Sequence, residues 1–538
     1  MRALSVFPGG FTVDAARRLL GDATVDLLDQ LAGHSLLKVL DTPAGTRFRM
    51  LETVREFSAT RREEAGETGK STTGFLAWAI GFSLAHHDAL FGADLVPAMR
   101  RVGAEQDNLV HALRHGIDHS DGSTVAATAA VLGGLWTFES NFGRMAALVE
   151  DTAWLLSHYR PKPRLVDATR AALVLSVVNS FLLQGPRPSR ALVALRRLPP
   201  AVPGTLVHAA ETVIRAVATT DFAPLFALCG DDDPLVAGLA EGVASYAWSA
   251  LDDPDRALAA AERMVAVFDD REPPWLRAVA HARVGELCLE LERGEEARRS
   301  ISTVLAVLDE TGTWPGAARI RGALVLANLQ TGAIDEAEHW LEQAMLTGGS
   351  EVAGASMVDV GARAEILLAR GDTETGLRLW RQAADRLRST KDTGPGADGW
   401  MWETQAVTVV AHAHHGRLDL VTEITGDLPR ALPGLLDDPG TSVPVCGALL
   451  LALALTDLDR AQTTGERSAA VRMIALAERF RYVRGFHPTM SSARIRAVAE
   501  PADERAYTDA QSEYARLGRE ELRAAAIAAL ALRPRDRA

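Results

Sequence analysis

The chain has 538 residues, of which 47% are hydrophobic and 24% are charged, and its formal net charge is −13. This length is too great for one compact core, so several domains or a repeat array are expected. The negative net charge does not suit a protein that wraps a polyanion, because such binding depends on Lys and Arg releasing counterions. Abundant Ala and Leu, with few Tyr and Phe, favour helices over sheets.

The cysteines and the apolar runs bear on the cellular setting. Cys229, Cys288 and Cys446 lie far apart and form no CxxC pair, which indicates no disulfide framework and favours a reducing cytoplasm. The apolar run at the N-terminus is too short for a signal peptide. No uninterrupted stretch of about 18 apolar residues is present, so no membrane span is predicted. The nearest candidate is Ala448–Leu455.

The first predicted elements follow the order helix, helix, β-hairpin, helix. Helices are expected over about Thr12–Leu20, with its first residue as N-cap, and over Thr24–Gly33. Short strands are predicted at Leu36–Leu40 and Thr46–Met50, on either side of a turn-forming stretch. The apolar period then becomes helical, which predicts a helix over Glu52–Glu64. This order is typical of a winged helix.

Residues 2–67 resemble the winged-helix segment of STAND-type regulators. These are large bacterial signalling proteins in which a P-loop NTPase precedes a winged helix and a helical-repeat sensor. The resemblance is closest to the versions attached to antibiotic-regulatory-type or LuxR-type transcription factors. It rests on the runs LSVFPGGFTVDAARRLL, LLDQLAGHSLLKVL and RFRMLETVREFSATRREEAGE. In that family the first winged-helix helix begins before LSVFPGGF, so we expect a truncated first helix here.

The stretch from Glu64 to Ser71 looks like a phosphate-binding loop. Such a loop requires the pattern GxxxxGK[ST] between a strand and a helix. Here Glu64 stands at the position of the first Gly, and the predicted helix Glu52–Glu64 precedes the loop in place of a strand. Because the backbone then cannot cradle phosphates as it does in a P-loop, we interpret this stretch as a helix C-cap and linker.

Residues 68–164 are predicted to form a helical connector. Within it, the run VGAEQDNLVHALRHGID resembles the segment that follows the winged helix in the same family. The match is carried by Glu105, Asn108, Leu109, Ala112 and Leu113.

Two groups of histidines are candidate metal ligands, since histidines one helical turn apart can bind zinc. The members are His111, His115 and His119 in the first group, and His412, His414 and His415 in the second. For the first group, no cysteine is near and no acidic residue completes an HExxH motif. We interpret both groups as solvated surface histidines and predict no metal site.

From about residue 165 the sequence predicts paired helices whose turns recur at roughly 40 residues, as in helical repeats. The turns are marked by Asp252-Asp253-Pro254, Gly294, Gly332, Gly371 and Gly416. Small residues after Gly332 and Gly371 resemble the tetratricopeptide (TPR) pattern, because they let successive helices approach closely. Inter-helix loops are predicted at the proline-rich stretches 186–188, 199–203, 273–274 and 429–433 and at 390–399.

These observations predict a mainly α fold, in which a small N-terminal winged helix is followed by a TPR-like α-solenoid. We expect the winged helix at residues 1–67, the helical connector at 68–164, TPR-like repeats at 165–430, and C-terminal repeats with a cap at 431–538.

The sequence contains no nucleophile elbow, HExxH motif, dinucleotide fingerprint or EF-hand loop, so no catalytic residue, cofactor or metal is predicted, and the chain is expected not to be an enzyme. Repeat arrays present extended surfaces that hold partners. We therefore expect the cytoplasmic sensor module of a STAND-type transcriptional regulator, whose repeat groove binds a protein, peptide or small-molecule signal. The resemblance implies an NTPase or DNA-binding module outside this chain as a further partner, with DNA engaged only indirectly.

The alternative is a transcriptional regulator that binds DNA directly through the winged helix. Its recognition helix would be Thr24–Gly33, whose charged residues are acidic and cannot meet phosphates or guanine edges. The hairpin supplies the candidate DNA-binding residues, Lys38, Arg47 and Arg49. Because so few phosphate contacts give only weak, salt-sensitive binding, we predict no sequence-specific DNA binding by this chain alone.

Overall fold

A computed structural model describes residues 1–533 except 43–44, 93, 140, 183–188, 218–220, 272, 312–316, 347–352, 390–396, 438–442 and 483. The chain divides into two compact units. Unit 1 comprises Met1–Ala280 and Val307–Gly316, and unit 2 comprises His281–Ala306 and Ala317–Ala538. The predicted mainly α fold with helical repeats is confirmed, and the sheet in the described part of the chain is a two-stranded hairpin.

Unit 1 opens with a short 3-10 helix, Ala3–Val6, which is followed by α1 (Val13–Leu20), α2 (Thr24–Gly33), β1 (Lys38–Thr42), β2 (Gly45–Arg49), α3 (Glu52–Glu64), α4 (Thr68–His86), α5 (Leu95–Ala104), α6 (Gln106–Asp118), α7 (Gly122–Phe138), α8 (Phe142–His158), α9 (Val166–Leu182), α10 (Ser189–Leu195), α11 (Leu206–Val217), α12 (Ala223–Leu228), α13 (Pro234–Ala250) and α14 (Pro254–Phe268).

The helices α15 (Pro274–Glu290) and α16 (Gly294–Thr311) each contribute residues to both units. Unit 2 continues with α17 (Ala317–Thr331), α18 (Ile334–Leu346), α19 (Ala353–Ala369), α20 (Thr373–Ser389), α21 (Ala397–His414), α22 (Thr422–Asp437), α23 (Val443–Arg460), α24 (Thr464–Phe480), α25 (Ser492–Tyr514) and α26 (Arg519–Leu532).

The predicted order helix, helix, hairpin, helix is confirmed at the N-terminus. The Thr12 side chain caps α1 by accepting a hydrogen bond from the Ala15 amide at 3.2 Å. Strand β1 begins two residues later than predicted, because the Leu36 amide donates to the Leu31 carbonyl at 3.0 Å and is still closing α2. In the antiparallel hairpin Lys38 lies opposite Arg49.

The phosphate-loop pattern takes the shape of a helix C-cap, as interpreted. Gly66 has a positive φ of 67°, and its amide donates to the Glu63 carbonyl while the Glu67 amide donates to the Arg62 carbonyl. This is a Schellman ending of α3. Lys70 already lies inside α4, so a phosphate cradle does not form at this stretch.

The N-terminal segment shares one hydrophobic core with the helices that follow it. The Phe7 ring lies 5.2 Å from the ring of Phe75 and 5.1 Å from that of Trp78, and both partners are on α4. The same core continues through the almost wholly buried α7 to α9. Residues 1–67 are therefore packed as part of a larger body, and the division into four sequence segments stays a prediction.

The turns of unit 2 follow the predicted repeat. Gly332, Gly371 and Gly416 each have a positive φ between the helices they join, a conformation that favours glycine. At the α15–α16 turn the left-handed residue is Glu292, with a φ of 56°, while Gly294 begins α16. A Cβ at Gly376 would lie 2.8 Å from Leu368 Cγ, so this small residue permits α20 to pack closely on α19.

The longest apolar run forms the centre of unit 2. Every residue of Ala448–Leu455 is buried, because α23 packs against α21, α22 and α24. This packing accounts for the run without a membrane. Among the helices that the structure describes, none has both the length and the apolar character needed to span a bilayer.

One proline stretch was predicted wrongly. Pro429 and Pro433 lie inside α22 rather than in a loop. Leu428, Leu432 and Leu436 recur at every fourth residue and are all buried, so packing maintains the helix despite the missing proline N–H groups. Pro274 begins α15, where the missing N–H costs little. Residues 186–188 and most of 390–399 lie outside the described residues.

Candidate functional site

The predicted hairpin residues do not share one environment. Lys38 and Arg49 are exposed and face solvent at the start of β1 and the end of β2. Arg47 is buried and forms an ion pair with Glu105, which lies between α5 and α6. The structure therefore corrects the role predicted for Arg47, since a buried and paired guanidinium does not meet a phosphate.

Arg47 is part of a buried polar network that ties the hairpin to α6. Its Nη2 lies 3.1 Å from Glu105 Oε2. Asn108 Nδ2 donates to the Gly10 carbonyl at 2.8 Å, and the Gly9 amide donates to Asn108 Oδ1 at 3.0 Å. These partners are far apart in the sequence, so the network fixes the approach of the N-terminal loop, the hairpin and the connector.

The exposed surface of α2 is apolar and acidic. On α2, the side chains of Val25 and Leu27 are 54% and 38% exposed, beside the exposed carboxylates of Asp26 and Asp29. Further exposed apolar residues of the N-terminal segment are Leu36, Val39, Leu51 and Phe57. Such a surface suits contact with protein better than contact with nucleic acid.

The two histidine groups have different environments. His111 and His119 are exposed, as predicted, and no group of three potential metal ligands occurs among the residues that the structure describes. The prediction was wrong for His412, which is fully buried, and for His414, which is half-buried beside the Thr489 carbonyl. His412 Nδ1 donates to the Thr408 carbonyl at 2.7 Å and its Nε2 accepts from Arg381 at 2.8 Å. Burial lowers the pKa of His412 to about 4, which keeps the imidazole neutral.

The clearest candidate site lies in unit 2, under the segment Arg481–Ser491 that joins α24 to α25. We call this segment the strap, and its described residues belong to no helix or strand. The strap contacts the first helices of successive helix pairs, and we call the surface under it the first-helix face. The residues of this face are Glu292, Leu326, Gln330, Gly361, Glu365 and His414.

Glu292 holds the end of the strap from the α15–α16 turn. Its carboxylate accepts hydrogen bonds from the Ser492 amide at 2.8 Å and from the Ser492 hydroxyl, and it lies 3.3 Å from Arg484 Nη1 and 3.2 Å from His487 Nε2. Burial alone would raise the pKa of Glu292. The contact with His487, the hydrogen bonds from Ser492 and the charge of Arg484 outweigh it and lower that pKa to about 2.

Glu365 is a fully buried carboxyl on α19. It accepts hydrogen bonds from the Thr489 amide at 2.9 Å and from Trp380 Nε1 at 2.8 Å. Burial raises the pKa of Glu365 to about 7, although the same hydrogen bonds oppose the shift. Next to it, His414 Nε2 lies 3.2 Å from the Thr489 carbonyl oxygen, so both main-chain groups of Thr489 are bound.

Phe486 anchors the middle of the strap. Its ring packs edge-on against Trp380, with centroids 5.1 Å apart, and it is only 2% exposed. A Cβ at Gly361 would lie 2.7 Å from the Phe486 ring, so the pocket exists because position 361 carries no side chain. Two residues before Phe486, the Arg484 carbonyl accepts a hydrogen bond from Gln330 Nε2 at 3.0 Å.

The first-helix face therefore binds the strap, which turns at residues 486–490, through main-chain hydrogen bonds and one aromatic pocket. We did not single out Glu292, Gln330 or Glu365 from the sequence. Two of them had a signal in the sequence. Glu292 is an acidic residue at a turn position that Gly occupies elsewhere, and Glu365 is a carboxyl within the apolar run of α19.

No protein-family model matches the sequence, and no curated protein matches it. Among solved structures, the chain is similar to a Signal Transduction ATPase with Numerous Domains (STAND) protein with a tetratricopeptide repeat sensor from Pyrococcus horikoshii. The similarity has a TM-score of 0.42 at 12% identity and covers 93% of this chain. The chain spans 64% of the length of that protein.

Proposed function

We propose that the chain is the non-enzymatic sensor part of a STAND-type transcriptional regulator, and that its helical repeats bind a protein or peptide signal. The observation that carries this proposal is the first-helix face, where Glu292, Gln330 and Glu365 bind main-chain groups of the non-helical strap. Main-chain recognition is independent of most side chains, so this surface suits a polypeptide ligand. The resemblance of residues 2–67 to the family's winged helix supports the regulatory role.

A small-molecule signal is less well supported. A cavity of about 170 Å³ lies among α8, α9 and α10 and is lined by residues that include Tyr159, Thr169 and Arg197. Pockets for drug-sized ligands are typically about 300–1,000 Å³. The cavity is too small for such a ligand, which favours the extended face as the sensor surface.

For the N-terminal segment we propose a packing role. Its α2 presents Val25 and Leu27 beside carboxylates, and Arg47 is committed to Glu105. This arrangement supports a winged helix that acts as a connector to an NTPase or DNA-binding module outside this chain, rather than one that reads DNA itself. The cytoplasmic setting and the transcriptional output belong to the same proposal.

Peptide selection tests the sensor role. Twelve-residue peptides displayed on phage are selected against the purified chain, and the recovered peptides are titrated by fluorescence anisotropy. We expect micromolar or tighter binding. Hydrogen exchange with and without the peptide locates the ligand, and we expect added protection in α17, α19 and α21, which carry the first-helix face. Protection confined to unit 1 would contradict the proposed surface.

Direct DNA binding through the hairpin, the alternative function, is tested separately. We expect no sequence-specific binding of the chain to its own upstream DNA at roughly physiological salt, where specific regulators reach about 10⁻⁸ M or tighter. The test is a titration with salt varied, comparing the native chain with the double variant Lys38→Ala, Arg49→Ala, since both side chains are exposed. Tight binding that this variant abolishes would favour direct DNA recognition. Arg47→Ala is unsuitable, because it disrupts the buried network.

A further inference from the structure

We propose that unit 1 carries a binding site of its own, which takes a small organic monocarboxylate. The site is the cavity of about 170 Å³ among α8, α9 and α10. The expected ligand combines one carboxylate with an apolar body about the size of a benzene ring. This proposal goes beyond the sensor function, because the cavity belongs to unit 1 and does not depend on the first-helix face of unit 2.

The inner wall of the cavity is apolar and comes from all three helices. Leu156 of α8, Leu173 of α9 and Ala194 of α10 line it, and all three are buried. The alanine contributes only a methyl group, so little of the space between the helices is filled from α10. An engineered apolar cavity of about 150 Å³ binds benzene. The cavity in unit 1 therefore has room for one ring or a short aliphatic chain, but for no larger apolar group.

The walls of the cavity are held by contacts with the rest of unit 1. The Tyr159 ring packs on Gly122, where a Cβ would collide with that ring, and Tyr159 OH lies 3.0 Å from Ser123 Oγ. Behind another part of the lining, the buried Arg170 donates to the Pro199 carbonyl. A cavity with fixed walls requires little ordering when a ligand arrives, which favours binding of a small molecule.

The exposed rim of the cavity supplies the groups that bind a carboxylate. Arg160 and Arg197 line the cavity, and no acidic side chain lines it among the described residues. Arg197 Nη1 donates to the Ser157 carbonyl at 3.3 Å, which holds the guanidinium near the end of α8. Within the part of the chain that the structure describes, neither arginine forms an ion pair. Because a guanidinium can donate two parallel hydrogen bonds to a carboxylate, the rim suits that group.

The charge of the rim selects an anion, although the whole chain has a net charge of −13. The segments 159–165 and 196–205 contain no acidic residue. Their exposed cations are Arg160, Lys162, Arg164, Arg196 and Arg197. Asp167, the next acidic residue along the chain, is exposed on α9 and does not line the cavity. A local concentration of one sign of charge attracts ligands of the opposite sign, so the cavity favours an apolar anion over a neutral molecule of the same shape.

Fluorine NMR of para-fluorobenzoate, titrated with the full chain, tests the proposal. We expect saturable binding with a Kd below about 1 mM. The neutral para-fluorobenzyl alcohol should bind at least tenfold more weakly, because it has the same ring and no charge. Inorganic phosphate at equal concentration should not displace the benzoate, because it leaves the apolar wall uncovered. Absence of saturable binding, equal affinity for the alcohol, or displacement by phosphate would each overturn the proposal.

Two variants locate the bound ligand. Ala194→Leu fills the cavity with apolar atoms and should abolish binding of para-fluorobenzoate. Arg197→Gln removes a charge-assisted hydrogen bond and should weaken binding at least tenfold. The matched control is Arg196→Gln, which removes a neighbouring exposed cation that does not line the cavity and should weaken binding much less. Affinity that neither Ala194→Leu nor Arg197→Gln reduces would place the ligand elsewhere and overturn the proposal.

Hydrogen exchange on the native chain keeps the test decisive if Ala194→Leu does not fold. The amides of Arg197 and Leu198 donate to the carbonyls of Ala194 and Leu195. Saturating para-fluorobenzoate should slow exchange of these two amides and leave α23 of unit 2 unchanged. Unchanged exchange at the two amides, with the ligand bound, would contradict the site. Because the peptide test reads exchange in α17, α19 and α21, this proposal and the proposed function fail separately.

Discussion

Replacing Arg47 by Met should lower the free energy of unfolding of unit 1 by about 3–5 kcal/mol, because the change leaves the Glu105 carboxylate buried without its counterion. The Gly9 and Gly10 carbonyl oxygens also lose a donor, since Arg47 Nη2 lies 3.5 and 3.4 Å from them. The measurement is calorimetric unfolding of the full chain, followed together with exchange of the α6 and hairpin amides, which report on unit 1.

Two further variants separate the buried pair from the loss of any arginine. Arg49→Met removes an exposed cation two residues away and should change the free energy of unfolding by no more than about 0.5 kcal/mol. The double variant Arg47→Met, Glu105→Met removes both charges and should recover a large part of the loss, because no uncompensated charge remains buried. If Arg47→Met costs no more than Arg49→Met, the buried network does not exist in solution.

Gly447→Ala should be the most destabilising substitution in unit 2 that adds a single methyl group. A Cβ at this position of α23 would lie 1.6 Å from the Arg481 carbonyl oxygen and 3.1 Å from that of Ala477. Both atoms belong to the backbone at the end of α24, so no side chain can rotate away and the helix itself must move. We expect a loss of about 3 kcal/mol or more, at or above the upper end of ordinary overpacking.

Gly434→Ala is the matched control for Gly447→Ala. Gly434 is an exposed position of α22, and no atom lies within 4 Å of a Cβ built there. Because Ala has the higher helix propensity, this change should stabilise the chain by roughly 0.5–1 kcal/mol. The two substitutions are chemically identical, so effects of the same sign in thermal unfolding would contradict the packing of α23 against α24.

Local physics accounts for what the sequence alone determined. The bounds of α2 and α3 match the prediction, and those of α1 match except that Thr12 is its cap and not its first residue. These bounds were predictable because the apolar period and the capping residues act within one or two helical turns. The turns at Gly332, Gly371 and Gly416 were predictable for a related reason, since a left-handed residue between two helices favours glycine.

Tertiary structure decided the rest, because the deciding partners lie far away in the sequence. Arg47 was predicted to be a surface cation of the hairpin, but it forms a buried ion pair with Glu105. His412 was predicted to be solvated but is buried, and α22 continues through its two prolines because its leucine face is buried against other helices. Glu365 meets the Thr489 amide across 124 residues. The period of apolar residues shows which side of a helix is apolar. Which segment packs on that side is decided by the long-range packing of the whole unit.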